Sequence, residues 1–151
     1  MIDASATEGF DGWLAHVEAD AASVLRFFAC DDAELSILLC DDATIWPLNR
    51  DYRHKDRPTD VLAFAQREGT PVPGQDHVLG DVVISVETAA RQAEERGQST
   101  AHELRVLVVH GICHLLGYDH EVDADAEVME AKEREILGIL GPTAAEFAPN
   151  G

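Results

Sequence analysis

The segment LRVLVVHGICHLLGYDH, residues 104–120, constrains the fold more than any other part of the chain. Its apolar residues recur at helical spacing and cover most of the helix surface, so the segment predicts a buried helix. The inward stripe consists of Leu104, Leu107, Val108, Gly111, Ile112 and Leu115, extended by Val106 and Val109. A buried polar group without a partner costs about 1–3 kcal/mol, so the histidines in this helix need partners.

Three histidines lie in the second half of this segment. His110 and His114 are four residues apart, which places them on one helix face, where both rings can reach one metal ion. His120 cannot join them on a continuous helix, because ten residues rise about 15 Å. Gly117 is expected to end the helix in the left-handed conformation and to return the chain toward the ion. Three imidazoles leave one tetrahedral position open, as in catalytic zinc sites, and they also suit nickel or copper.

The spacing matches the long zinc-peptidase motif, H-E-x-x-H-x-x-G-x-x-H, at every position but one, and so predicts a zincin-like metal-site helix. Gly111 occupies the position of the glutamate. In peptidases that glutamate takes a proton from the metal-bound water. Its absence argues against peptide hydrolysis by this mechanism.

Strands and helices alternate along the rest of the chain. Apolar runs predict strands at residues 35–39, 59–65 and 78–85, and an edge strand near residues 1–6 is a further option. Helical spacing predicts helices within the first 30 residues, after Asp42, over 86–96 and from about 123 to 137. The last of them is expected to stop near Gly138 or near Gly141 and Pro142. This order predicts an α+β fold, a small mixed sheet of about four strands flanked by helices. The 151 residues show no repeat or long linker and are expected to form one domain, 1–151.

Local signals refine these elements. Leu48 and Tyr52 are expected to turn inward from a short helix whose regularity is limited by Pro47. Gly97 is placed to end the helix before it. Thr100 and Glu103 form a capping-box pattern at the start of the histidine helix.

The net charge of −18 argues against unspecific binding to nucleic acid. One stretch, RDYRHKDR, is nevertheless rich in positive charge. Its cationic residues are Arg50, Arg53, Lys55 and Arg57. On composition alone, the simpler interpretation is a solvated loop whose charges pair with Asp51 and Asp56.

Other features point to the cytoplasm. Three cysteines make an odd count with no paired spacing, which suits a reducing compartment. No apolar run approaches the roughly 18 residues that a membrane span requires. The acidic start MIDASATEGFDGW is unlike a signal peptide.

Three blocks of sequence resemble one known family. HGICHLLGYDH resembles the pattern H-G-x-L-H-L-x-G-Y-D-H of the YbeY family, bacterial metal-dependent endoribonucleases implicated in ribosomal RNA maturation and ribosome quality control. LNRDYRHKDRPTDVLAF resembles that family's N-x-x-Y-R-x-K-D-x-P-T-D-V-L-S-F block, and LGDVVIS matches as well. The resemblance covers nearly the whole chain.

The resemblance implies a function and a set of site residues. By position, His110, His114 and His120 would be the metal ligands, and Arg53 would stand in the active-site cleft. The metal would polarise a phosphoryl oxygen and activate water, with Arg53 and His114 as the catalytic residues and Arg53 offering a planar cation to phosphate. The expected cofactor is zinc, or nickel or another divalent metal. The expected substrate is ribosomal RNA, presented by ribosomal particles or ribosomal proteins, which suits a local basic stretch on an acidic protein.

Some positions leave alternatives open. Cys113 stands where the family usually has leucine, and it either packs as a small hydrophobe or approaches the metal. Asp119 either orients a ligand imidazole or caps the turn. Ala63 and Ala65 replace the usual serine and proline with no evident chemical loss. The competing functions are a non-catalytic ribosome-assembly factor with a structural metal, and a metal hydrolase acting on some other ester or amide.

Overall fold

The computed structural model describes residues 1–66, 78–118 and 123–141. Within them lies a four-stranded sheet with the strands β1 (Ile2–Ala6), β2 (Glu34–Cys40), β3 (Val61–Ala65) and β4 (Val78–Ser85). The helices are α1 (Leu14–Phe27), α2 (Asp42–Arg53), α3 (Val86–Arg96), α4 (Thr100–Leu115) and α5 (Asp123–Leu140). The predicted α+β fold with a small mixed sheet is confirmed, and the optional edge strand is present as β1.

The sheet has the order β1-β2-β4-β3. β1 pairs parallel with β2, β2 parallel with β4, and β3 antiparallel with β4. Alternation along β2 turns Leu35, Ile37 and Leu39 into the main core. The two central strands therefore carry the apolar face on which the helices pack.

The main core lies between this sheet face and the helices. α4 supplies ten buried residues, among them the predicted stripe from Leu104 to Leu115. α1 adds Val17, Ala21 and Val24, and α5 adds Met129 and Ile136. The predicted buried helix is thus confirmed as the central helix of this layer, and its position decides where the histidines lie.

α2 packs on the opposite sheet face, where a smaller core contains Ile45, Leu62 and Val83. The helix runs without interruption through Pro47, so the expectation that the proline limits its regularity was wrong. Proline removes one amide donor near the start of the helix, and Ala43, whose carbonyl loses that donor, is exposed to water. Asp41 caps the helix by accepting a hydrogen bond from the Thr44 amide at 2.8 Å.

Two further local predictions were wrong. Tyr52 is 65% exposed and rests edge-on against Phe64 at the margin of the smaller core, instead of turning inward. α4 is capped by Ser99, whose Oγ accepts a hydrogen bond from the His102 amide at 3.1 Å. Glu103 is fully buried and binds Arg96 and Gln98 instead of completing a capping box at Thr100.

Two predicted helix ends can be compared with the structure. Gly97 follows α3 with a φ of +66°, in the left-handed region, as its sequence predicts. α5 passes Gly138 and ends at Leu140, so of the two predicted stops the structure has the one at Gly141, where the left-handed turn occurs.

Candidate active site

His110 and His114 lie on adjacent turns of the C-terminal half of α4. Both are half-buried, whereas Gly111 and Cys113 between them are buried in the core. α4 ends at Leu115, and Gly117 follows with a φ of +101° while its amide donates to the His114 carbonyl at 3.0 Å. The glycine break predicted between the second and third histidines is therefore confirmed.

His120 and Asp119 lie outside the described residues. Within the part of the chain that the structure describes, no cluster of three or more His, Cys, Asp or Glu side chains is arranged to hold a metal ion. His110 and His114 lie on one helix face, as the prediction requires, and the three-histidine metal site as a whole stays a prediction.

A small cavity brings the histidine pair together with Arg53. It has a volume of about 20 Å³ and is lined by Arg53, Val61, Ala63, His110, Gly111 and His114. Arg53 projects from the C-terminal end of α2, and Val61 and Ala63 belong to β3. Three separate elements therefore converge here, and Arg53 shares the cavity with both histidines.

A second cavity of about 170 Å³ shares three lining residues with the first, Arg53, Val61 and His110. Its other polar lining includes Lys55, Arg57, Thr59 and Asp60. The two cavities form one cleft that runs from the histidines along the basic stretch. The cleft offers cationic donors beside two imidazoles, an arrangement suited to a phosphodiester.

A buried asparagine holds the basic stretch in place. Asn49, on α2, is 2% exposed, and its side-chain amide donates to the Arg57 carbonyl at 2.8 Å. The chain reverses at His54, which has a φ of +59°, and the Lys55 amide donates to the Asn49 carbonyl at 3.3 Å. The loop that carries Lys55 and Arg57 is thus tied to the end of α2.

The charged residues of the basic stretch differ in the partners that they have. Arg50 pairs with Asp51 at 3.0 Å, as the solvated-loop interpretation expects. Asp56 instead accepts a hydrogen bond from the Trp46 indole at 2.7 Å. Over residues 1–66, 78–118 and 123–141, no ion pair involves Arg53, Lys55 or Arg57. All three line the larger cavity of the cleft.

Gly111 lets α4 approach the sheet closely. A Cβ atom at this position would stand 2.9 Å from Val82 Cγ1 and 3.1 Å from Cγ2, inside normal contact distance. A glutamate here, as in the zinc peptidases, would require the Val82 side chain, β4 or α4 to shift.

Sequence reasoning missed one residue of the site, Glu133 on α5. Its Oε1 lies 2.9 Å from Nδ1 of His110. The hydrogen bond to Glu133 raises the pKa of His110 above its ordinary value, against the opposing effects of burial and of the nearby Arg53. No spacing rule connects the two residues, because they are 23 positions apart on different helices.

Cys113 packs into the main core with no exposed surface. Burial, followed by the nearby carboxylate of Glu133, raises the pKa of its thiol to about 12. A neutral, buried thiol corresponds to the packing alternative for this residue.

The fold resembles a solved one. Over 93% of this chain and 91% of the other, it is similar to the solution structure of TM1509 from Thermotoga maritima, with a TM-score of 0.60 and 27% sequence identity. The sequence matches the family model described as Endoribonuclease YbeY over residues 5–141.

Curated relatives agree. The chain is 50% identical over 115 residues to Endoribonuclease YbeY of Pelotomaculum thermopropionicum, covering 75% of this chain and 76% of the relative. It is 48% identical over 126 residues to Endoribonuclease YbeY of Syntrophotalea carbinolica, covering 82% and 84%. The chain therefore belongs to the YbeY endoribonuclease family, and the resemblance noted in its sequence is confirmed. Among the described residues, no helix is both long and apolar enough to cross a membrane.

Proposed function

We propose that this protein is a metal-dependent endoribonuclease that hydrolyses phosphodiester bonds of ribosomal RNA during its maturation and quality control in the cytoplasm. Membership of a family of endoribonucleases supports the reaction class. The observation that carries the proposal is the cleft in which Arg53 meets His110 and His114. Residues 1–151 act in it as one catalytic domain.

The proposed metal site uses His110, His114 and His120. The donor chemistry fits zinc, since imidazole nitrogen is among its usual ligands and three of them leave a position for substrate or water, and nickel or another divalent metal suits the same set. When bound, the ion supplies Lewis acidity toward a phosphoryl oxygen and lowers the pKa of bound water. His114 takes part in catalysis as a ligand of that ion.

Arg53 is proposed to bind the scissile phosphate. Its guanidinium is always charged and presents paired donors to phosphate oxygens, including the charge that develops in the transition state. Lys55 and Arg57, farther along the cleft, would hold neighbouring phosphates of the same strand. With cations at the site and a net charge of −18 over the whole chain, the protein favours RNA presented by ribosomal particles or ribosomal proteins over free RNA.

The test compares RNA cleavage and metal content in wild type, His114→Ala, Arg53→Ala and the control Arg50→Ala. We expect wild type to bind one metal ion and to cleave ribosomal RNA. His114→Ala should lose the metal and the cleavage together. Arg53→Ala should keep the metal but lose cleavage by roughly 100-fold or more, as expected when a transition-state donor is removed. The metal is measured by mass spectrometry of the native protein, and cleavage by gel analysis of labelled RNA.

Arg50→Ala is the matched control for Arg53. Arg50 belongs to the same basic stretch but is paired with Asp51 at the surface, so its removal should leave cleavage within about twofold. If Arg53→Ala cleaves like wild type, the activity does not arise in this cleft, and the assembly-factor alternative replaces the nuclease.

A further inference from the structure

The inward face of α5 presents a carboxylate to the histidine pair. Met129 and Ile136 are each 1% exposed and anchor this face in the main core. Glu133 lies between them, four residues after the first and three before the second, so it shares their side of the helix. Its side chain is 17% exposed and its Oε1 is 2.9 Å from His110 Nδ1. The position of this carboxylate is therefore set by the packing of the helix that carries it.

The neighbouring cation has other partners. Lys132 Nζ pairs with Glu135 at 3.3 Å and lies 5.5 Å above the ring centre of Phe27. Among the described residues, the hydrogen bond of Glu133 joins it to the imidazole of His110. An acidic residue on the inward face of α5 is thus directed at a predicted metal ligand.

The chemistry of this contact selects one tautomer. An ionised carboxylate only accepts hydrogen bonds, so the proton must be on Nδ1 of His110. In the neutral imidazole, the lone pair that a metal ion would need is then on the other ring nitrogen, Nε2. A carboxylate behind a ligating histidine fixes the ring orientation and increases its basicity, and its loss commonly weakens metal binding 10–100-fold.

We propose that Glu133 is a positioning residue that holds His110 as the Nδ1–H tautomer and so presents Nε2 to the metal. The inference rests on the proposed function, because it assumes that His110 is a ligand. It differs from the sequence hypothesis for Asp119, since it assigns the orienting role to a residue of α5 that spacing did not indicate.

Zinc affinity tests the proposal directly. Zn²⁺ binding is measured by competition with a chromophoric chelator for wild type, Glu133→Ala, Glu133→Gln and His110→Ala. We expect Glu133→Ala to bind zinc about 10–100-fold more weakly than wild type. Glu133→Gln should lie between the two, because its amide oxygen still accepts the Nδ1 proton but carries no charge.

Glu130→Ala is the matched control. Glu130 is an exposed glutamate one turn earlier on α5, so this variant removes the same charge from the same helix. Its zinc affinity should stay within about twofold of wild type, because surface charges interact weakly. A loss equal to that of Glu133→Ala would show a general charge effect and would overturn the proposal.

The tautomer of His110 is a second readout that needs no metal. In the metal-free protein, long-range ¹H–¹⁵N correlation spectra should show the Nδ1–H form for wild type and Glu133→Gln. Glu133→Ala should show a mixture. An Nε2–H form in wild type would overturn the proposal whatever the zinc affinities are.

The two hypotheses fail differently. If His110→Ala abolishes zinc binding while Glu133→Ala binds like wild type, the metal site stands and the role of Glu133 is wrong. If wild type and His110→Ala bind zinc equally weakly, the proposed metal site itself is wrong. Should Glu133→Ala fail to fold, Glu133→Gln and the wild-type tautomer still decide the question.

Discussion

The two halves of α4 contain polar residues of opposite character. In the N-terminal half, Glu103 is fully buried and accepts hydrogen bonds from Arg96 and Gln98, and Arg105 binds the buried Asp20. In the C-terminal half, His110 and His114 are half-buried and border a cleft. The polar residues of the N-terminal half bind partners within the protein, whereas the histidines of the C-terminal half border a cavity that a ligand can enter. A polar side chain in an apolar helix therefore indicates a role in stability where partners within the protein surround it. Where the side chain borders a cleft, it indicates a functional site.

Arg105→Ala should give the largest change in stability among the tests of this comparison. Asp20 Oδ1 accepts a hydrogen bond from Arg105 Nε at 3.2 Å and lies 3.0 Å from Nη2 of the same guanidinium. His16 Nε2 lies 3.3 Å from the other carboxylate oxygen. Removal of the guanidinium leaves a buried carboxylate largely uncompensated, which costs about 3–5 kcal/mol. Urea unfolding measures the loss, and zinc affinity of the folded fraction should not change.

Arg134→Ala provides the control for that experiment. Arg134 is an exposed arginine on α5, so its removal should change the free energy of unfolding by no more than about 0.5 kcal/mol. If Arg105→Ala lowers the free energy of unfolding as little as this control does, the stability of the N-terminal half of α4 does not depend on its internal ion pairs. The contrast between the two halves of α4 would then be wrong.

Metal removal should act on the C-terminal half alone. A metal at about 100 times its dissociation constant stabilises the folded state by about 2.7 kcal/mol. For a chain of this size, chelation should then lower the Tm by roughly 5–10 °C. Calorimetry with and without a chelator should show this shift in wild type and in Arg105→Ala, whereas His114→Ala should show none. A shift that persists in His114→Ala would place the metal elsewhere.

Gly111→Ala should give the smallest effect. The added methyl group meets Val82 at 2.9 Å, and overpacking of this kind costs about 1–3 kcal/mol. Alanine gains about 1 kcal/mol over glycine as a helix former, so the net loss should be about 1 kcal/mol. A double-mutant cycle with Val82→Ala measures the coupling, which should be favourable because the smaller side chain makes room. Additive effects would mean that Val82 does not limit the approach of α4.

Much of the fold follows from periodicity in the sequence. The histidine helix, the central strands and the break at Gly117 were predicted because each depends on residues close together in the chain. Errors occurred where local patterns had competing solutions. Ser99 caps α4 in place of Thr100, Pro47 lies within a continuous helix, and Tyr52 stays exposed although its spacing suits the inward face.

The residues of the candidate site likewise divide into those that local spacing predicts and those that it does not. The spacing of His110 and His114 predicts a shared helix face without reference to any other element. Arg53 was assigned to the cleft only through family resemblance, since nothing in the spacing relates the end of α2 to the middle of α4. Glu133 was not anticipated, because its contact with His110 depends on how α5 packs across α4.

The sequence by itself determined an apolar helix with paired imidazoles and a glycine break, because side-chain periodicity and backbone freedom are local properties. Only the tertiary structure decided which groups surround those imidazoles. The order and pairing of the strands place β3 beside α4, the end of α2 brings Arg53 to the same cleft, and the anchors of α5 place Glu133 behind His110. These contacts join residues distant in sequence, and they form only when the helices and the sheet bury their apolar faces together.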